Sequence, residues 1–564
     1  MENKEYMLID GNPVEINGEK NLLEVIRKAG IELPTFCYHS ELSVYGACRM
    51  CMVENSHGGM EAACSTVPKA GMEIYTNTER LHKHRKMILE LLLANHCRDC
   101  TTCQKNGKCR LQELASLFGL ESIRFKNLKP EPELDTSSLS IIRDAHKCIL
   151  CGDCVRMCNE IQNVGAIDFV NRGSKMVIGP AFNEPIANSP CVGCGQCAAV
   201  CPTGAIVIRK DTGRVWPELN DKNTKVVAQV APAVRVAMAK EFGLPENENS
   251  MGRITAALRR LGFDEVYDTA TGADLTVLEE SNEFLQRIEA GENLPLITSC
   301  CPAWIQYCEK NHPELMKNIS TCKSPMQMFS SVIKAEYANS SRRVVCVAIM
   351  PCTAKKFECA REEFMHDGVP ETDYVITTQE LIQMIHKAGI VFDELEPEAV
   401  DPEFSTSTGA GVIFGVTGGV TKAVLRRLST DKSKKALLSI AFNDVRGMKG
   451  VKETTIPYGD KEVRIAIVSG LKNAESVIQA LKNGEHFDFI EVMACPGGCV
   501  AGGGQPFGTN ATKEVRGKAL YSADKMLSIK RSEENPLMLS LYDGVLKGRV
   551  HELLHVHYNH KEEE

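Results

Sequence analysis

Short apolar runs punctuate this chain, and their period and spacing change along it. Tyr6–Ile9 runs into a turn at Asp10–Pro13 and predicts a short strand. Asn21–Ala29 has apolar residues at helical spacing and stops at Gly30, a short amphipathic helix. Leu81–Asn95 predicts a longer helix. Residues 127–140 (NLKPEPELDTSSLS) lose the pattern and read as a linker. Beyond residue 211 strands and helices alternate, beginning with an apolar strand at Lys225–Val230 and a helix at Ile254–Leu261. Leu294–Thr298, Arg343–Met350 and Phe489–Ala494 predict three further strands, and cysteine follows each: Ser299-Cys300-Cys301, Pro351-Cys352 and Cys495. Leu537–Leu546 and Val550–His557 predict helices before a polar end. No run reaches the roughly 18 apolar residues of a membrane span; Met87–Ala94 is among the longest.

Ligand sites in open α/β sheets lie at the carboxyl ends of strands. Three separated segments therefore deliver thiols to one sheet edge. Gly497, Gly498, Gly502, Gly503 and Gly504 permit close backbone approach to a bulky group there.

The chain has 564 residues, which at about 150 per domain suggests three to five domains. Net charge is −8, so nucleic acid is not an expected partner. The start has no basic region followed by an apolar one, so a cytoplasmic protein is expected. Cysteine is the outlier, at 25. A reduced compartment and an odd count argue against a disulfide framework and for metal ligation.

Cys37-x10-Cys48-x2-Cys51-x12-Cys64 resembles the plant-type [2Fe–2S] ferredoxin fold, in the spacing of respiratory NADH dehydrogenase large subunits. Zinc is the competing reading, but its sites usually use two closely spaced ligand pairs. His96-x3-Cys100-x2-Cys103-x5-Cys109 follows, where imidazole replaces one thiolate at a [4Fe–4S] cluster. Alone, His96 would read as a surface or packed residue; Cys97 is spare. Cys148-x2-Cys151-x2-Cys154-x3-Cys158 and Cys191-x2-Cys194-x2-Cys197-x3-Cys201-Pro202 form the duplicated run of bacterial two-cluster ferredoxins. The fourth cysteine of each run serves the other cluster. Cys201 joins Cys148, Cys151 and Cys154, and Cys158 joins Cys191, Cys194 and Cys197. Four clusters in a row describe a wire.

TSCCPAW (Thr298–Trp304), MPCTAKKFE (Met350–Glu358) and EVMACPGGCVAGGGQP (Glu491–Pro506) resemble the three signatures of [FeFe]-hydrogenase, and the resemblance covers nearly the whole chain. It implies an α/β catalytic domain (211–506), two-lobed with the H-cluster between the lobes. Before it come a β-grasp [2Fe–2S] ferredoxin-like domain (1–80), a His/Cys [4Fe–4S] domain (81–126) and a two-cluster bacterial ferredoxin-like domain (141–210). Residues 507–564 resemble a fused small-subunit region. The implied cofactors are one [2Fe–2S], three accessory [4Fe–4S] and one H-cluster. The last is a [4Fe–4S] cubane joined to a two-iron unit with CO, cyanide and azadithiolate, where 2H⁺ + 2e⁻ and H₂ interconvert.

Position by position, Cys301, Cys352, Cys495 and Cys499 resemble the cubane ligands, with Cys499 the bridge. Cys300 resembles the proton-delivering thiol and Lys355 the donor to a cyanide. Met350, Met493, Ala231, Pro232, Phe414 and Ser324 would wall the pocket. Glu280, Glu283, Arg287 and Ser320 match the family's proton path. Glu280 and Glu283 share a helix face, which by itself would read as solvated. Ala233 and Met326 depart from a frequent serine and glutamine. Cys308, Cys322, Cys346 and Cys359 match no ligand position and read as small buried hydrophobes. His551, His555 and His557 offer a metal set, though a surface or packed role is the stronger reading.

The expected partners are ferredoxin and the maturation enzymes for the two-iron unit. A second reading is a hydrogenase subunit of an NAD-linked, electron-bifurcating complex with flavin- and NAD-binding subunits. No GxGxxG element in strand–helix context is evident, so the chain alone is not expected to bind either cofactor. A non-catalytic sensory relative would typically lack Cys300 or the glutamates. A pure electron-relay subunit would leave the three C-terminal motifs without a purpose.

Overall fold

The computed structural model describes residues 5–127, 133–428, 443–444, 450–458 and 461–558. They form two units: Met1–Ile161 with Gly165–Ser189 and Val200–Val207, and Gln162–Val164 with Pro190–Ala199 and Ile208–Glu564.

The first unit opens with a hairpin, Glu5–Ile9 against Asn12–Ile16, so the expected single strand has a partner. The sheet continues through Glu73–Tyr75 and Met52–Asn55 to Met60–Ala62, with the first strand parallel to Glu73–Tyr75. Helix Leu22–Lys28 starts where Asn21 accepts the Glu24 N–H (3.1 Å), satisfying an orphan donor. Its buried Leu22, Leu23, Val25 and Ile26 seal this sheet. Glu79–Ala94 is capped by Thr78 in the same way. The linker expected at 127–140 is only partly one. Residues 128–132 lie outside the described residues, but Asp135 exchanges backbone hydrogen bonds with Arg143. Its carboxylate also meets Arg143 (3.3 Å) and accepts the Ile186 N–H (2.9 Å).

The second unit holds two sheets. Four parallel strands run in the order Glu265–Asp268, Thr224–Val230, Arg343–Met350, Tyr374–Thr377. Five others run Leu296–Ile297, Phe489–Met493, Lys461–Ser469, Val451–Tyr458, Asn443–Asp444, of which the first three are mutually parallel. Near-continuous apolar strands such as VVCVAIM suit sheets covered on both faces. Residues 190–199, expected with the ferredoxin-like segment, belong to this unit. Thr353 Oγ1 donates to Gly193 O (2.7 Å), and Gln196 Nε2 donates to Ala501 O (2.9 Å) and Cys495 Sγ (3.2 Å).

The 21-residue helix Ala270–Ala290 is the spine of this unit, and its fully buried Asp274 anchors it. That carboxylate accepts from Thr408 Oγ1 (2.6 Å), Ser532 Oγ (2.8 Å) and Asn535 Nδ2 (3.2 Å). The expected helix at Val550–His557 is shorter, Val550–Leu554. From His555 the backbone is extended, and the Val556 N–H donates to Thr321 O (2.7 Å) in place of a helical acceptor.

Arg426 and Asp524 form an ion pair (2.6 Å) with both side chains essentially inaccessible. Asp524→Ala strands a buried guanidinium and is expected to cost about 3–5 kcal/mol. The double change Arg426→Met with Asp524→Leu should cost far less. Denaturant midpoints of the two variants check the difference.

Candidate active site

Strand register places the cysteine-bearing turns side by side. Val230 pairs with Ile349, so Ala231-Pro232 leaves the sheet beside Met350–Cys352. Ile297 pairs with Ile490, so Thr298–Cys301 leaves the other sheet beside Ala494-Cys495. There the Ala494 N–H donates to Cys301 Sγ (3.5 Å). Cys301 precedes helix Pro302–Asn311, whose first-turn proline has no amide hydrogen to lose.

These turns line a pocket of about 780 Å³, counting the space open to solvent at its mouth. Cys300, Cys301, Cys352, Cys495 and Cys499 all line it, with Lys355 as the charged lining residue and Met350, Met493, Ala231, Pro232 and Phe414 among the apolar wall. Ala233 and Met326, where polar residues were the family expectation, also face it. Ser324 is not a lining residue; it caps helix Pro325–Glu336. Thr269 and Ala273 line the cavity without having stood out in the sequence, because nothing in their local pattern marks them. Gly498 has φ +86°, and a Cβ there would sit 2.6 Å from Thr417 N, so the turn between Cys495 and Cys499 requires glycine.

Electrostatics follow from dryness. Burial, then the Glu280 charge, pushes the Cys300 thiol well above its usual range. Burial, then Cys301, pushes Cys352 up to about 11. Neutral thiols of this kind become good ligands once a metal takes the proton's place. Burial pulls Lys355 down, but Glu358 (2.6 Å) more than reverses this, and the ammonium stays charged beside Cys300 O (3.4 Å). A soft donor set with a single ammonium fits an anionic iron–sulfur group.

Away from the cavity, Glu280 is fully buried without a counter-charge, and only weak contacts with the Ser320 hydroxyl and the Ser299 backbone face its carboxylate. The solvated-face reading is therefore wrong for this residue. Burial, then the Glu283 charge, raises it to about 8. Ser320 Oγ donates to Glu283 Oε2 (2.8 Å), and Arg287 pairs with Glu283 Oε1 (2.5 Å). Arg287 also donates to Asn318 O (3.0 Å) and Ile319 O (2.9 Å), which fixes the turn carrying Ser320. Sequence reading missed Glu491, which accepts from Gly418 N, Thr421 N (both 2.7 Å) and Thr421 Oγ1 (2.8 Å). The available signal was a lone carboxylate inside the apolar strand Phe489–Met493.

In the first unit, Cys37 and Cys48 are in contact, as are Cys51 and Cys64. Cys100, Cys103 and Cys109 lie within each other's electrostatic reach, and His96 is buried. Cys148, Cys151, Cys154 and Cys201 line one cavity of about 410 Å³. A Cβ on Gly204 would lie 2.6 Å from Cys103 Sγ, so glycine lets the chain after Cys201 pass directly against the preceding cysteine group. Cys191, Cys194 and Cys197 belong to the second unit and Cys158 to the first. Cys308, Cys322 and Cys346 are buried, as expected, and Cys359 is half-buried.

Residues 224–503 match the family model for the iron only hydrogenase large subunit, C-terminal domain. Residues 6–79 match a 2Fe-2S iron-sulfur cluster binding domain, and 85–124 the NADH-ubiquinone oxidoreductase-G iron-sulfur binding region. Residues 147–209 match a 4Fe-4S dicluster domain and 510–561 an iron hydrogenase small subunit. The chain is 41% identical to NADP-reducing hydrogenase subunit HndD of Solidesulfovibrio fructosivorans, over 98% of each chain. It is 34% identical to iron hydrogenase 1 of Clostridium pasteurianum, over 98% of this chain and 99% of that one. A solved [FeFe]-hydrogenase from Chlamydomonas reinhardtii superposes with a TM-score of 0.55 at 36% identity, covering 62% of this chain and 98% of that one. No described helix is long and apolar enough to cross a membrane.

Glu280 ties pH to stability. Its folded value of about 8 lies above the ordinary 4.5. Between these values the folded state holds a proton that the unfolded chain releases, so stability falls as pH rises through the window. Glu280→Gln removes that penalty. Its melting temperature should match the parent at pH 4.5, exceed it increasingly up to pH 8, and hold a constant lead above. Thermal melts across this range check the pattern.

Proposed function

The chain belongs to the [FeFe]-hydrogenase family and is an oxidoreductase acting on hydrogen; from that premise we propose how its own residues divide the work. The carrying observation is the cavity itself, where five thiols and one ammonium meet in an otherwise largely apolar wall. Cys301, Cys352, Cys495 and Cys499 would hold the cubane of the H-cluster, Cys499 would serve the two-iron unit as well, and the two sheets would form the two lobes around it. When bound, the H-cluster supplies the interconversion of two protons and two electrons with H₂.

Lys355 holds an anionic ligand of the cluster by charge-assisted donation. Met350, Met493, Ala231, Pro232 and Phe414 exclude water, and Ser324 fixes the start of the helix behind them. Cys300 holds the last proton. Glu280 is positioned to supply it, because a carboxyl near pKa 8 carries and releases protons at neutral pH. The Ser320 hydroxyl and Glu283 continue the route outward, and Arg287 fixes Glu283 and the Ser320 turn. The Cys37, Cys48, Cys51 and Cys64 site, the His96–Cys109 site and the two ferredoxin-like sites would hold the accessory iron–sulfur groups, which would supply electron transfer. The last of these would draw on Cys191, Cys194 and Cys197 of the second unit. Gln196, donating to Cys495 Sγ, tethers that end of the wire to the catalytic cavity.

Ferredoxin is the expected electron partner. The 41% identical relative is named as a subunit of an NADP-reducing hydrogenase, which favours a second reading. In it, flavin- and nicotinamide-binding subunits dock to this chain in the cytoplasm.

In matured protein, Cys300→Ala should keep the infrared CO and cyanide bands yet lower H₂ turnover by at least about 100-fold, the usual scale for a lost proton donor. Normal turnover with normal bands would remove Cys300 from the route. The purified single chain should reduce ferredoxin with H₂ and leave NAD(P)⁺ untouched. Nicotinamide reduction by the chain alone would overturn the partner assignment, and co-purification with flavin-bearing subunits would put the complex first.

A further inference from the structure

The C-terminal histidine run does not form a helix face with a metal set of its own. His555 instead turns inward, where it forms an antiparallel bridge with Cys322. Two backbone hydrogen bonds hold it there, Val556 N to Thr321 O (2.7 Å) and Lys323 N to Leu554 O (2.8 Å). This pairing gathers Glu283, Cys322 and His555, whose candidate ligand atoms all lie within 4.8 Å of one another. Cys322 is fully buried and the other two are half-buried, so the group sits just beneath the surface.

The neighbours complete a recognisable coordination pattern. Glu279 Oε2 is 3.1 Å from His555 Nε2, and the Tyr542 hydroxyl donates to the other Glu279 oxygen. In the neutral tautomer whose Nε2–H meets that carboxylate, the lone pair is on Nδ1. There it now accepts from the Thr321 hydroxyl (2.8 Å), which can rotate away. A carboxylate that orients an imidazole toward a cation is the usual outer shell of a zinc ligand. One thiol, one imidazole and one carboxylate are zinc's donor types, whereas calcium and magnesium require oxygen shells.

We propose that Glu283, Cys322 and His555 bind a divalent cation of the zinc class, with water as the fourth ligand, and that its occupancy closes the proton route. The second half rests on the reading of Ser320 and Glu283 as part of that route. Binding converts the Cys322 thiol to a thiolate, and one proton per cation leaves to solvent. Glu283 Oε2 faces the Cys322 thiol (3.7 Å) and accepts from Ser320 (2.8 Å). Once that oxygen is a metal ligand, the bound cation keeps Glu283 from taking up a proton from Ser320, and the route is cut there. Arg287 on Oε1 holds the carboxylate in place meanwhile.

The test uses matured, full-length enzyme with zinc chloride. Zinc-edge X-ray absorption should show one sulfur at about 2.3 Å with nitrogen and oxygen neighbours. H₂ oxidation with a viologen dye should fall with zinc and recover on chelation. Cys322→Ala should lose the sulfur shell. Both it and His555→Gln should turn over normally without zinc and need at least about tenfold more zinc for the same inhibition. A sulfur shell that persists in Cys322→Ala, or no zinc bound to the parent, overturns the site. Zinc held by Cys322 and His555 with turnover unchanged leaves the site standing, and overturns the gating together with the proton-route role of Glu283.

Discussion

Everything in the catalytic unit answers to one constraint: five thiols from three distant segments must meet in a dry cavity, at positions set by backbone rather than by flexible side chains. Parallel register supplies this. Val230 against Ile349 and Ile297 against Ile490 align strand ends, and each end turns at once into a cysteine. Side chains cannot drift far when the strands that carry them are buried on both faces. The glycines between Cys495 and Pro506 complete the arrangement by letting backbone pass where a Cβ would collide with Thr417, Pro351 or Cys194.

Dryness makes charge expensive, so the charges that remain near the cavity are paired or protonated. Lys355 is paired with Glu358. Glu491 is satisfied by three donors at the start of the helix Gly419–Leu428. Glu280 lacks a counter-charge, and burial raises it to about 8 instead. The same helix, Ala270–Ala290, also carries Glu279 and Glu283 out to the C-terminal segment. One rigid element thus spans from the cavity wall at Ala273 to the surface, and Asp274 anchors it to segments far along the chain.

The cysteines of the first unit sit in turns after short strands and helices, where N–H groups can face sulfur, and Cys37, Cys51, Cys64 and Cys151 are buried among apolar side chains. Cys48 N donates to Cys37 Sγ (3.3 Å) and Leu150 N approaches Cys148 Sγ (3.4 Å).

The sequence by itself determined the short-spaced cysteine groups of the first 201 residues, since spacing is a local property of the chain. It also determined the strand ends before Cys300, Cys352 and Cys495, because buried parallel strands are continuous apolar runs. Only the tertiary structure decided what surrounds them. That Glu280 is buried and Glu283 is paired rests on helix orientation, which i, i+3 spacing leaves open. That His555 meets Cys322 rests on the chain end pairing as a strand with residues 321–323, where an apolar-patterned segment also reads as helix. A segment's period fixes its faces, but the partner it packs against fixes its conformation and the chemistry of its polar groups.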